Sequence, residues 1–312
     1  MPIQLNTIPS VFTPGVYTEF DNSQAVQGSS AQPHVGLLIG TRRSTGAVAA
    51  GVVTPITGAP QGGEYFGRGS QLAQMIEWWL QATPNTELFA IALDEDAAGA
   101  KATATLTVTG PATADGTIEL IWCGRRRRVG VTKGDSATTI ALAIKTADDN
   151  DGDSATTTTV AAGVATSTAR HKGAYGNDLA IFKNYYAGQK LPAGVGLTIT
   201  AFTGGTADPD VADAIAALGG EKQYHTIITG YADDANMDVL EAEMDSRWSA
   251  LRAIEGVVFG GFRGDYADSS TYGNARNSAF STVVATSMSP TPPWCWAAVY
   301  GAVRAASTTI DP

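Results

Sequence analysis

Val35-Gly36-Leu37-Leu38-Ile39-Gly40 carries no charge and no polar side chain. A short apolar run of this kind, closed by glycine, is the composition of a strand covered on both faces. Downstream, Ser70 stands where a helix cap belongs. Leu72, Met75, Ile76, Trp79 and Leu80 follow at the i, i+3, i+4, i+7 and i+8 spacing of a single apolar stripe. Pro84 ends that helix, and Leu88 to Leu93 repeats the buried-strand pattern. Strand, helix, strand in this order predicts an α/β sheet.

The same pattern resumes late in the chain. Asp208-Pro209 reads as a cap and first-turn pair opening a helix with Val211, Ile215 and Leu218, stopped by Gly219. A strand over Thr226 to Ile228 follows, then a helix presenting Met237, Leu240, Met244, Trp248 and Leu251 on one face. Gly256 to Phe259 and Ser281 to Thr286 read as strands, and a last helix starts at Pro292-Pro293 and runs through Trp296, Val299 and Val303. Between the two α/β stretches the style changes. Residues 98–206 are Thr-rich, with period-two segments at Ala104 to Val108, Thr117 to Ile121, Arg127 to Val131, Thr157 to Val160 and Val195 to Ala201. One helix, capped by Ser136 and carrying Ile140 and Ile144, interrupts them. The charge changes sign too: residues 98–206 hold 11 Lys+Arg against 8 Asp+Glu in a chain whose formal net charge is −10. The predicted architecture is a doubly wound mixed-sheet α/β domain (34–97 and 207–312) with an inserted β-rich, sandwich-like domain (98–206).

Residues 1–33 fit neither. Pro2, Pro9, Pro14 and Pro33 break any helix, and no charge precedes Glu19. Pro14, Gly15, Val16, Tyr17, Thr18, Glu19 and Phe20 form a strand-capable segment without a core of its own, which reads as an extended arm that docks on another subunit. The start of the chain lacks the basic and apolar blocks of a signal peptide, and no run approaches 18 consecutive apolar residues, so a soluble product with no membrane insertion is expected. Cys123 and Cys295 sit in apolar surroundings and read as buried reduced thiols.

Catalytic and cofactor signatures do not assemble. Gly134-Asp135-Ser136-Ala137-Thr138 misses the second glycine of a nucleophile elbow, and Ile199 stands where a dinucleotide fingerprint begun at Gly194-Val195-Gly196 needs its third glycine. His34, His171 and His225 are far apart in sequence; His225 reads as a satisfied core histidine. Asp148-Asp149-Asn150-Asp151-Gly152-Asp153 suggests calcium, but Ala147 and Thr158 occupy the first and twelfth loop positions, where carboxylates are required; a solvated loop is expected. Arg125-Arg126-Arg127-Arg128 falls on a hairpin. It is open to a structural, a protein-contact or a nucleic-acid reading, and the structural one is favoured, because an acidic chain repels phosphate and no aromatic residues alternate with the arginines. Neither catalytic residues, cofactor nor metal is expected.

Several blocks resemble the contractile tail sheath proteins of Mu-like phages and prophages. They are Thr13-Pro14-Gly15-Val16-Tyr17 with Glu19, Asn22-Ser23-Gln24-Ala25, Leu37-Leu38-Ile39-Gly40, Ala169-Arg170-His171-Lys172-Gly173 with Gly176-Asn177-Asp178, Gly204-Gly205-Thr206-Ala207-Asp208-Pro209, and Ser289-Pro290-Thr291-Pro292-Pro293-Trp294. The resemblance implies a structural subunit rather than an enzyme. Such a subunit stacks as hexameric rings around an inner tail tube and contracts to drive genome delivery. Implied partners are other copies of itself, the tube protein, the baseplate and the tail terminator, with no nucleic acid. Implied locations are the virion and, during assembly, the host cytoplasm. It also implies a C-terminal domain beyond Pro312, so the chain reads as a fragment lacking it. A phage decoration or host-surface-binding module is the alternative.

Overall fold

The computed structural model describes residues 34–220 and 222–310. Along the chain come β1 (Val35–Thr41), β2 (Thr54–Ile56), α1 (Ala59–Phe66), α2 (Gln71–Ala82) and β3 (Glu87–Leu93). All seven residues of β1 are buried, which is why its sequence tolerates no charge. Ser70 caps α2, its Oγ accepting from Ala73 N at 3.1 Å, and Leu72, Met75, Ile76 and Trp79 are fully buried. Next follow β4 (Lys101–Thr109), β5 (Gly116–Trp122), β6 (Arg125–Val131), α3 (Ala137–Asp149), β7 (Thr156–Ala161), β8 (Val164–Lys172), β9 (Ile181–Lys183) and β10 (Gly196–Ile199). The chain closes with α4 (Ala212–Leu218), β11 (Thr226–Thr229), α5 (Asp234–Trp248), β12 (Val257–Phe262), α6 (Tyr266–Arg276), β13 (Ser281–Ala285) and α7 (Pro293–Ile310).

A mixed sheet of order β13-β12-β11-β1-β3-β2 takes strands from both ends of the described chain, parallel except for β2 against β3. β1 is central, with Leu37 beside Phe89 on one side and Ile227 on the other. Both faces are covered. A Cβ on Gly260 would point at Met237 of α5, and one on its neighbour Gly261 at Pro293 of α7; adjacent strand residues face opposite ways, so these helices lie on opposite faces. α2 packs beside α7, Trp294 Nε1 donating to Gln74 Oε1 at 3.2 Å. Residues between β3 and α4 build two antiparallel sheets, β10-β4-β8-β7 and β6-β5-β9. Burial in β4 alternates strictly apart from Thr105, so its threonines face outward and Ala102, Ala104, Leu106 and Val108 face in. No helix among the described residues is long and apolar enough to cross a membrane.

Three helix readings need correction. Asp208-Pro209 does not open α4, which starts at Ala212; Asp208 instead accepts from Tyr175 N at 3.0 Å. In α5 the buried face continues from Met244 to Arg247, while Trp248 and Leu251 are exposed, Leu251 beyond the helix end. Arg247 takes that place because Glu243 (2.8 Å) and the carbonyls of Gly219 and Lys222 satisfy its donors. In α7 the buried face is Ala297, Ala298, Gly301, Ala302 and Ala305, whereas Trp296, Tyr300 and Val303 point outward. The cause is proximity: α7 lies so close to β11 that a Cβ on Gly301 would run into the Ile228 side chain. Gly301→Ala should therefore lower stability by about 1–3 kcal/mol despite the better helix propensity of alanine. Denaturant unfolding measures it, and an equal or raised midpoint would place α7 farther from the sheet.

Candidate functional site

The carboxyl ends of β1 and β11 form the crevice where open α/β sheets hold ligands. Here side chains fill it. Gln71 Oε1 accepts from Thr41 N at 3.0 Å, and its Nε2 donates to Gly230 O at 2.9 Å. Gln71 N donates to His171 Nε2 at 3.3 Å, which leaves the imidazole proton on Nδ1, directed at Glu95 Oε1 2.9 Å away. Burial depresses the pKa of His171, in keeping with this neutral form. Tyr175 OH donates to Thr41 Oγ1 at 3.0 Å, and that oxygen lies 2.7 Å from Tyr231 OH. The Tyr175 ring meets Tyr231 edge-on at 5.5 Å and Trp294 at 5.6 Å. A cavity of about 10 Å³ remains.

The three later sequence blocks converge at this joint. In the first, Arg170 Nε donates to Ser154 O at 2.7 Å, and Gly173 adopts φ +135, a conformation L side chains rarely reach. Asn177 locks it to the second block by two bonds with Gly205, Nδ2 to O at 3.0 Å and N to Oδ1 at 2.9 Å. Asp208 adds its bond to Tyr175 N. The third block brings Trp294, and Arg263 fixes the loop before it by donating to the carbonyls of Ser287, Ser289 and Thr291. Asp178 sits nearby with its carboxyl pushed up to about 6 by burial, which Arg263 only partly offsets.

The arginine and aspartate runs, read separately as an exposed hairpin and a solvated loop, meet each other. Arg127 is buried in β6: Nη1 donates to Asp148 Oδ1 at 2.5 Å, Nη2 to Ser154 Oγ at 2.9 Å and Asp151 Oδ2 at 3.2 Å, and the guanidinium lies 4.8 Å from the Trp122 ring centre. Asp148 also accepts from Ser154 Oγ and Thr158 Oγ1, each at 2.6 Å. Arg125 pairs with Glu77 of α2, Arg126 and Arg128 pair with Glu119, and Asp153 pairs with Arg68. Arg127 Nε stays buried without a partner, so the network is a polar core in which both terminal nitrogens of Arg127, but not Nε, are engaged by carboxylate or hydroxyl. Sequence reading missed the pairing because the two runs are separated by α3; their four charges each, of opposite sign, were the available signal.

The histidines also depart from expectation. His34 and His225 come together with ring centres 4.6 Å apart. Val35 N donates to His225 Nδ1 at 3.1 Å, but His225 Nε2 and His34 Nδ1 are buried without a partner, so His225 is not fully satisfied. Among the described residues no group of three His, Cys, Asp or Glu converges as metal ligands. Cys123 and Cys295 are buried free thiols, and burial pushes the Cys123 thiol up to about 12. The arm segment Pro14, Gly15, Val16, Tyr17, Thr18, Glu19 and Phe20 lies outside the described residues.

Over 313 aligned residues the chain is 37% identical to the Mu-like prophage FluMu tail sheath protein of Haemophilus influenzae. That alignment takes in 100% of this chain and 64% of the relative, so the chain spans less than two thirds of it. Crystal structures of sheath tail proteins from Desulfitobacterium hafniense and Listeria innocua align with 93% and 94% of the chain and with 62% and 60% of their own. Their identities are 14% and 13% and their TM-scores 0.39 and 0.34, values too low to bear on the fold. No protein-family model matches the chain.

Two measurements test the joint and its polar core. Asp148→Ala removes the nearer of the two carboxylates on the buried Arg127 and leaves only Asp151, so a loss of about 3–5 kcal/mol is expected in denaturant unfolding. A loss below about 1 kcal/mol would mean that water reaches the pair. Asp178 titrates higher in the fold than its ordinary 3.8, so stability should rise as pH falls from about 6 toward 3.8, where the folded state alone takes up the proton. Asp178→Asn should stabilise the protein at pH 8 and flatten that slope. A destabilised variant with an unchanged slope would show that the ionised carboxylate is held favourably.

Proposed function

We propose that this chain is a structural subunit of a contractile phage-type tail sheath, stacking as hexameric rings around an inner tube and contracting to drive genome delivery. Identity of 37% along the whole chain to a tail sheath protein carries the reading. The joint supports it. Blocks shared with sheath proteins build the contact between sheets rather than an open pocket, which suits a subunit that moves as a rigid body. In this reading residues 34–97 and 207–312 are one α/β domain and 98–206 an inserted domain. Its partners are other copies, the tube, the baseplate and the terminator.

The arm would then join neighbours by adding a strand to another subunit's sheet, with main-chain hydrogen bonds supplying the affinity. Val16 and Thr18 would lie on one face and Tyr17 and Glu19 on the other. Adjacent donors of an edge strand point opposite ways, so of Val16→Pro and Tyr17→Pro only one should block assembly strongly. Neither should alter the melting temperature of the subunit. Particles from the bacterium carrying the gene, labelled with antibody to this chain, should show label along contractile tail shafts. Label confined to the head or baseplate would overturn the sheath reading, and normal tails with both proline variants would overturn strand addition.

A further inference from the structure

Among the described residues, a depression on this acidic chain carries more positive than negative charge. Arg42, Arg43, Ser44, Asp94, Glu95, Lys101 and Arg170 line about 290 Å³ where β1 and β3 end. Asp94 pairs with Arg42 at 2.8 Å and Glu95 accepts from the neutral His171 at 2.9 Å, so four cations stand against two carboxylates. Arg43, Lys101 and Arg170 form no ion pair among the described residues. Arg43 donates to Arg68 O at 2.8 Å and Arg170 to Ser154 O at 2.7 Å, backbone groups that carry no net charge. Burial and then Arg43 lower the pKa of Arg170, while Asp148, Asp151 and Asp149 act the other way. By contrast Arg68, Arg125, Arg126, Arg127, Arg128 and Arg276 all meet carboxylates.

Opposite charge gathers elsewhere. Residues 208–276 hold 13 Asp+Glu against 5 Lys+Arg. Asp234, Asp238, Asp245, Asp265 and Asp268 are exposed along α5 and at the start of α6. Asp234 and Asp238 share Arg276, whereas Asp245 and Asp268 have no ion pair among the described residues. We propose that the basic depression of one copy receives the α5–α6 carboxylates of a second copy. The inference rests on the self-assembly contained in the sheath reading and names two faces for it. Because the faces differ, the contact is head-to-tail, and repetition yields a ring or a helix rather than a closed pair.

Sedimentation velocity of the chain at high concentration tests the contact. The wild type should associate at low salt and dissociate near 0.5 M salt, where screening shortens the reach of exposed charges. Arg43→Gln with Lys101→Gln removes the charge of the basic face, and Asp245→Asn with Asp268→Asn that of the acidic face. Each double variant alone should associate at least about tenfold more weakly. Their equimolar mixture keeps one intact face of each kind, so it should form dimers and nothing larger. Unchanged melting temperatures serve as the folding control. A monomeric wild type at low salt, variants that associate normally, or a mixture that stays monomeric would each overturn the contact. So would calorimetric binding of inorganic phosphate to the depression with association unaffected. Antibody label along tail shafts would stand in any of these cases, so failure here is separable from failure of the sheath reading.

Discussion

Two backbone groups at the mouth of the central sheet have no ladder partner: the amide of Thr41 and the carbonyl of Gly230. Leaving them bare in a buried place would cost on the order of 1–3 kcal/mol each. One side chain, Gln71, answers both, and it is nearly inaccessible to solvent. This fixes the start of α2 over the crevice and aims the backbone N–H of Gln71 at His171 Nε2. His171 lies on β8, so satisfying the large sheet recruits a residue of the smaller ones. Tyr175, Asn177 and Asp208 extend the same joint, and polar and aromatic side chains fill the crevice between β1 and β11.

Much of the fold was legible because burial on both faces leaves a simple signature. β1, β3 and α2 could be read from apolar spacing, and β4 from alternation. β8 was not, because its inward residues are Ala165, Ser167, Ala169 and His171, which do not register as an apolar face. The faces of α5 and α7 were misjudged for related reasons. A buried arginine with three acceptors looks polar in sequence, and a helix pressed against a sheet needs alanine and glycine rather than tryptophan. Of the candidate site, the blocks at residues 169–178, 204–209 and 289–294 were visible as motifs. That they touch was not, because their contacts are single hydrogen bonds between residues far apart in the chain.

Charge was the least legible layer. Arg125 to Arg128 and Asp148 to Asp153 each look like solvated surface, yet Arg127 and Asp148 are buried against each other. The less conspicuous Arg43, Lys101 and Arg170, scattered along the chain, give the depression an excess of positive charge over its Asp94 and Glu95. A run of like charge in sequence therefore says little about where uncompensated charge lies. Topology decides it, by bringing opposite runs together or leaving them apart.

The Trp294 indole, edge-on to Tyr175 and bonded to Gln74, also gives the joint an optical consequence. Trp79, Trp122 and Trp294 are shielded from water, whereas Trp248 and Trp296 are open to it. A collisional quencher such as iodide thus sorts the emission into an outer class and an inner one. Within the inner class, Tyr175 hands its excitation to Trp294 across a 5.6 Å gap. Separation of the sheets would break that transfer while leaving Trp79 and Trp122 dark to the quencher, so light alone distinguishes an opened joint from an unfolded chain.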